Sequence, residues 1–387
     1  MPLKTYKVLL LTILSILSLN ANGILSKEQL DSLKFAKEKA KQDSSKLKID
    51  WINPITYTYS YSDDESLGIT KQSTITISQP IFKSGGIYSA IKYSNNLKAS
   101  SNLSIYLQKK ALVKKALNIA YNIKKLELQI KKQTLNLDNA NIDLRIKKEG
   151  VFNGLLDMSS LNNAIISRNK IKSTLVELEF QKKSLIYSFN NLSSKKIDEI
   201  ELPTFTQIDI KDFEENHLEI RKTKVDIEAK NNSKWVTTAK YLPTVSVNYT
   251  KTLNHNTDKD NDTYGFKVVV PLDFKGYYDS GSAKVEYLKA KKDLEILKLK
   301  ERNFFYTQNL KIAMIDKKIA LTKENINSYK ELLFQTIELA NAGIKTSDDV
   351  KILENSKNIE ILTLKILSID KQIELLEIYG KIISDKI

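Results

Sequence analysis

The run from Pro271 to Ala342, which begins as the tail of a strand, constrains the chain more than any other stretch. Tyr264, Phe266, Val268, Val270 and Leu272 alternate with Gly265, Lys267, Val269, Pro271 and Asp273, the two-residue period of a strand. Past Gly276 the period changes. Phe305, Ile312, Ile319, Ile326, Leu333 and Ala340 recur every seven residues with no proline among them. Gly281 to Ala342 is 62 residues, which as one helix is about 90 Å long at about 1.5 Å per residue. A strand that feeds a helix of that length excludes most small-domain folds.

At the N-terminus Lys4 and Lys7 precede the apolar run Val8–Leu19 and then Asn20-Ala21-Asn22-Gly23. This is the layout of a secretory signal peptide over residues 1–23, the run being too short to span a bilayer. The chain has no cysteine, and His217 and His255 are its only histidines, so neither a disulfide framework nor a zinc site is expected, and no cofactor is implied. The formal charge is +15. Charges of both signs are interspersed, however, and the lysines sit between heptad stripes rather than clustered with aromatics, which argues against a nucleic-acid partner. Only 11 glycines and 6 prolines in 387 residues fit a mostly helical protein.

The chain reads as two copies of one unit. Ser26 to Lys48 has a helical pattern with Ser26 and Gln29 at capping-box spacing, and leads to Asn53-Pro54 and an alternating run. His217 to Lys240 follows Asp212 and Glu215 at the same spacing and leads to Leu242-Pro243. Pro54 pairs with Pro243, Pro80 with Pro271, Gly150 with Gly343 and Asp157 with Asp349, at offsets of 189, 191, 193 and 192. Repeat 1 is expected over 24–192, with strands near 54–62 and 70–81 and long helices near 87–148 and 156–192. A linker, 193–214, joins it to repeat 2, 215–387, with strands near 243–253 and 263–273 and helices near 278–342 and 348–386. Pro80, Gly85 and Gly86 mark the first strand–helix junction, and Pro271 and Gly276 the second.

In the strands Ile55, Tyr57, Tyr59 and Tyr61 face one way and Thr56, Thr58, Ser60 and Ser62 the other, and Val245, Val247 and Tyr249 alternate with Ser246, Asn248 and Thr250. An apolar, tyrosine-rich face opposite a small hydroxylated face is the pattern of a transmembrane β-barrel with a wet lumen. A soluble sheet packed on helices alternates in the same way; the signal peptide and the attached long helices favour the membrane. Four strands cannot close a barrel in lipid, so the barrel is shared between chains, two giving eight strands and three giving twelve. The helices carry two apolar stripes. Ala116, Ile123, Ile130, Leu137 and Leu144 form one, and Tyr121, Leu128, Leu135 and Ile142 the other, about 200° apart or on the far side of the axis. Ile171, Leu178, Leu185 and Leu192 pair similarly with Ile166, Phe180 and Tyr187. Helices with two such sides have neighbours on both and can close into a ring, although a bundle with a broad core competes.

Pro80-Ile-Phe-x-x-Gly-Gly with its weaker copy at Pro271, Leu242-Pro243-Thr-Val-Ser-Val, and Gly343-Ile-Lys-Thr-Ser-Asp348-Asp349-Val350 resemble motifs of the TolC-like outer-membrane efflux proteins. The resemblance covers nearly the whole mature chain. It implies a mainly α fold with a small β part, a homotrimer with a twelve-strand transmembrane β-barrel in outer-membrane lipid, and a periplasmic α-helical barrel. It also implies passive export through a tripartite efflux or type I secretion system, with a periplasmic adaptor and an inner-membrane pump of RND or ABC type as partners. Gly150, Gly154 and Gly343 fall at hairpin tips, where the resemblance puts adaptor docking. Asp349 matches a position of the aspartate rings that close such tunnels, with Asp348, Lys345 and Asp157 as further gate candidates; the next acidic position is Ile352 here. Three converging Asp349 carboxylates would repel one another and attract cations. Equally, Asp349 would serve as a helix N-cap after Gly343, with Ser347 or Asp348 sharing that job.

No nucleophile, base and orienter stand at catalytic spacing and no phosphate-binding loop is present, so an enzyme is not expected. The rival readings are a trimeric coiled-coil adhesin or surface stalk, whose strands would sit at one chain end, and a soluble coiled-coil scaffold.

Overall fold

A computed structural model describes residues 23–65, 68–257 and 259–384. The expected signal peptide, residues 1–23, lies outside them except for Gly23. In chain order the elements are α1 (Lys27–Ile49), β1 (Thr56–Asp64), β2 (Gly68–Phe82), α2 (Gly86–Phe152), α3 (Met158–Asn190), α4 (Ile210–Glu215), α5 (Leu218–Ala239), β3 (Thr244–Asn254), β4 (Lys259–Val269), α6 (Lys275–Asn341) and α7 (Ser347–Tyr379). The fold is mainly helical with one small sheet. Gly281 lies within α6 and does not break it.

Two compact units share these elements. The first, Ser32–Leu107 with Leu218–Lys300, holds the sheet. Its strands are antiparallel throughout, in the order β1-β2-β3-β4. The register puts Tyr57 opposite Ile75, Ile77 opposite Tyr249, and Tyr249 opposite Tyr264 on one face. Thr56, Thr76, Thr250 and Thr263 form a rung of the other. Four helical segments of this unit pack in series. Ser44 and Ser94, both buried, exchange hydroxyl–carbonyl hydrogen bonds (3.2 and 2.6 Å) between α1 and α2. The Ser100 hydroxyl donates to Asp226, tying α2 to α5, and Lys230 donates to Glu286 at 2.7 Å, tying α5 to α6.

The second unit comprises Gln108–His217, Glu301 onward and the described residues before Ser32. Its core is Val113, Leu117 and Tyr121 of α2, Phe305 and Ile312 of α6, Leu375, Leu376 and Tyr379 of α7, and Phe213 of α4. The helices run side by side in the order α3–α2–α7–α6. Lys182 pairs with Glu127 (3.0 Å) between α3 and α2, and Lys371 with Asp316 (2.7 Å) between α7 and α6. Between α2 and α7 there is a ladder at roughly heptad intervals: Lys125 to Asp370 (2.6 Å), Lys132 to Thr363 (2.9 Å) and Asn139 to Asn355 (2.8 Å). Residues 200–209 have no regular secondary structure; Gln372 accepts from the Phe205 amide (2.7 Å), and Tyr121 donates to the Pro203 carbonyl.

The structure corrects the phase of the repeat. Both long helices have 67 residues and both return helices 33, and α2 and α3 map onto α6 and α7 at one offset, 189, from Gly86/Lys275 to Asn190/Tyr379. The drift to 193 came from matching Gly150 with Gly343. The structural counterpart of Gly343 is Gly154, and that of Asp157 is Thr346. A second correction concerns α5. Asp212 and Glu215 do not cap it, because they lie inside α4, whose own cap is Asp209, accepting from the Asp212 amide at 2.7 Å.

Candidate functional site: hairpin tips, junctions and sheet edges

The two hairpin tips close in the same way. Leu155 and Leu156 amides donate to the Gly150 carbonyl (2.8 and 3.1 Å), and Ile344 and Lys345 amides to that of Leu339 (2.9 and 3.2 Å). Each turn needs one left-handed residue, supplied by Gly154 (φ +69°) and Gly343 (φ +75°). Gly150 is therefore not a helix break. It lies within α2, and a Cβ there would come 2.7 Å from the Leu156 side chain, so it is a packing glycine. Phe152 (91% exposed), Leu155, Met158 and Ile344 project from the tips into solvent.

Asp157 is the N-cap of α3, accepting from the Ser160 amide (2.9 Å) and the Ser159 hydroxyl (2.7 Å). The Ser159 and then the Ser160 hydrogen bonds hold its carboxyl below the usual range. On α7 the cap is Thr346, not Asp349, Ser347 or Asp348. Its hydroxyl accepts from the Asp349 amide (3.2 Å), and the Asp349 carboxylate accepts from the Thr346 amide (2.9 Å). Asp349 is thus the third residue of a reciprocal capping box. The Thr346 amide, then its hydroxyl, then the Lys345 charge at 4.0 Å keep Asp349 below the ordinary carboxylate range, so it is charged at neutral pH. Asp348 is drawn to Arg145 of α2, which joins the two hairpins. Arg145 and Thr346 escaped the sequence reading. A Thr-x-x-Asp pattern just before the apolar run was the available signal for Thr346; Arg145, 203 positions from Asp348, had none.

The strand–helix junctions differ from one another. Pro80 lies within β2, opposite Ser246 at an irregularity in the pairing, whereas Pro271 lies beyond the last residue of β4, so the two prolines are not equivalent. The first turn uses Ser84 (φ 46°) and Gly85 (φ 80°). The second uses Asp273, whose carboxylate accepts from the Lys275 amide at 2.9 Å. Gly86 and Gly276 serve close packing, since a Cβ at either would come 2.7 Å from Ala239 or Tyr241.

The sheet has two unpaired edges, β1 and β4, and every residue of both strands is exposed. Its apolar face shows Tyr57, Tyr59, Tyr61, Tyr264 and Phe266 at 54–78% exposure. In the helical unit the outer helices, α3 and α6, show uncovered apolar stripes: Ile166, Phe180 and Tyr187 on one, Leu310, Leu321 and Leu332 on the other. Both stripes of α2 are buried or half-buried, as are Ile352, Ile359, Ile366 and Ile373 and, beside them, Leu362, Ile369 and Leu376 on α7. Among the described residues no helix is long and apolar enough to cross a membrane, which says nothing of β-strands, and no group of three or more His, Asp or Glu could hold a metal ion.

No family model and no curated protein matches the sequence. Solved structures do match. The outer membrane protein VceC of Vibrio cholerae superposes with a TM-score of 0.74 at 14% identity, over 92% of this chain and 93% of that one. The CmeC outer membrane channel of Campylobacter jejuni gives 0.73 at 11% identity, over 92% and 83%. CusC, described as forming a transmembrane channel, gives 0.71 at 11%, over 93% of each chain. The chain therefore has the TolC-like fold of these outer-membrane proteins.

Proposed function

We propose that this protein is the outer-membrane tunnel of a tripartite efflux or type I secretion system, a passive conduit rather than an enzyme. The observation that carries this reading is the open sheet. Four antiparallel strands, with one face of exposed tyrosine, phenylalanine and aliphatic side chains and two unpaired edges, are stable in neither water nor lipid as they stand. Pairing β4 of one copy with β1 of the next removes every edge, sends the apolar face to lipid and leaves the hydroxyl face to line water. Three copies give twelve strands, and α3 of one copy meeting α6 of the next covers the remaining apolar stripes. The protein then resides in the outer membrane, with its long helices in the periplasm.

The tips, with Gly154, Gly343 and the projecting Phe152 and Leu155, are the docking site for a periplasmic adaptor, which links the tunnel to an inner-membrane pump. Asp348, Asp349 and Lys345 are the gate candidates on one hairpin and Asp157 on the other. A surface stalk is less well supported, because its strands would not recur within both repeats. Cross-linking of detergent-extracted protein tests the assembly: it should stop at three chains. A monodisperse monomer or a closed dimer would refute it.

A further inference from the structure

We infer that Lys267 is a selectivity residue of the conduit, setting a preference for anionic solutes at the helix-proximal end of the barrel lumen. The inference rests on the channel reading above and goes beyond it. By the strand register, Lys267 shares the face of Ser246, Asn248, Thr250 and Thr263. That face is built from Thr, Ser, Asn and Gln. Its other charged residues, Asp64 and Lys259, both lie on the loop-end rungs. Lys267 is thus the one charge among the described residues of this face away from the loops. It is exposed, and the neighbouring position on the same face is Gly265, where a Cβ would meet nothing within 4 Å, so the ammonium group has open space beside it.

The two faces of the sheet treat charge differently. On the apolar face Lys251 is neutralised, lying 3.4 Å from Asp260, as a charge facing lipid must be. The Lys267 ammonium group makes no ion pair or hydrogen bond with any described residue. An unpaired lysine within a membrane-spanning strand is stable only in water, which places it in the lumen. Three copies form a ring of fixed positive charge in an otherwise neutral, hydroxyl-lined passage. Such rings favour counter-ions, here carboxylates, phosphates and sulfonates. With each ammonium about 10 Å from the axis in about 0.1 M salt, the summed screened potential shifts the anion-to-cation permeability ratio about fivefold. Asp349, at the hairpin tips, is a candidate of opposite sign, so the informative quantity is the change between variants, not the sign of the wild-type preference.

The test is reversal potential in planar bilayers under a potassium chloride gradient, using the full-length assembled protein. Lys267→Gln should move the chloride-to-potassium permeability ratio about fivefold toward potassium. Lys267→Arg should leave it in place. Lys251→Gln, which removes the same charge from the opposite face, should not move it. A conducting Lys267→Gln channel with an unmoved ratio overturns this inference alone, as does an equal shift from Lys251→Gln. A wild type that inserts but forms no pore overturns the channel reading, and this inference with it.

Discussion

Glu301 is 2% exposed and sits at the point where the C-terminal segment is fastened. Its carboxylate accepts from Lys381 (2.7 Å) and from Nε2 of His217 (3.1 Å), which is itself 1% exposed with Phe213 edge-on to its ring. Around this cluster the chain is strapped down: His217 bridges Ile382, the Ile383 amide donates to the Asn216 carbonyl (2.9 Å), and buried Lys110 donates to the Ile382 carbonyl. Glu301→Gln keeps the shape and removes the charge, leaving Lys381 and His217 facing a neutral amide. Breaking a buried ion pair costs about 3–5 kcal/mol. Lys381 is partly exposed and can turn to water, so the low end, about 3 kcal/mol, applies here, equal to about a 150-fold rise in local opening. Arg302 on the same helix pairs with Glu214 at a half-exposed surface (2.8 Å); its loss costs under about 1 kcal/mol, or about fivefold. Hydrogen exchange at the Ile383 amide reads both. Protection within about fivefold of wild type in Glu301→Gln, or equal losses in the two variants, would refute the reasoning. Burial pushes the Glu301 carboxyl up, but hydrogen bonds and charge from Lys381 and His217 outweigh it and hold the group below its ordinary value. A depressed carboxyl stabilises fully above the unfolded value, about 4.3, and that contribution is lost as pH falls through the folded value. The difference between wild type and Glu301→Gln should therefore shrink only below about pH 4.3.

Gly343→Val forces a β-branched residue into a left-handed turn, at a cost of about 1–2 kcal/mol confined to the tip; export should be lost while outer-membrane insertion and trimer formation persist, and retained export would place adaptor docking elsewhere. Asp349→Asn keeps an oxygen for the Thr346 amide and removes the charge, so the helix content and oligomer should be unchanged while cation selectivity and block by multivalent cations weaken in planar bilayers; unaltered selectivity and block in a stable trimer would leave Asp349 a capping residue only.

Periodicity determined much of this protein, because burial on one side of an element leaves its period in the residues. The seven-residue run through Phe305, Ile312 and Ile326 is the buried stripe of α6, and the tyrosine–threonine alternation of β1 is the two-faced sheet. Uncovered stripes on α3 and exposed tyrosines on β1 keep the same patterns, since the period records that a side is apolar and not what covers it. Tertiary structure decided the rest. Whether a glycine turns left-handed or only makes room depends on backbone φ and on a neighbour such as Leu156, so the sequence pairs Gly150 rather than Gly154 with Gly343, and the offset of the repeat drifts from 189. The cap of α7 passed from Asp349 to Thr346 because the last turn before a helix is fixed by where the preceding helix stops. Arg145 meets Asp348, and His217 meets Glu301, across 203 and 84 positions; such pairs leave no local period and form only once the helices are packed.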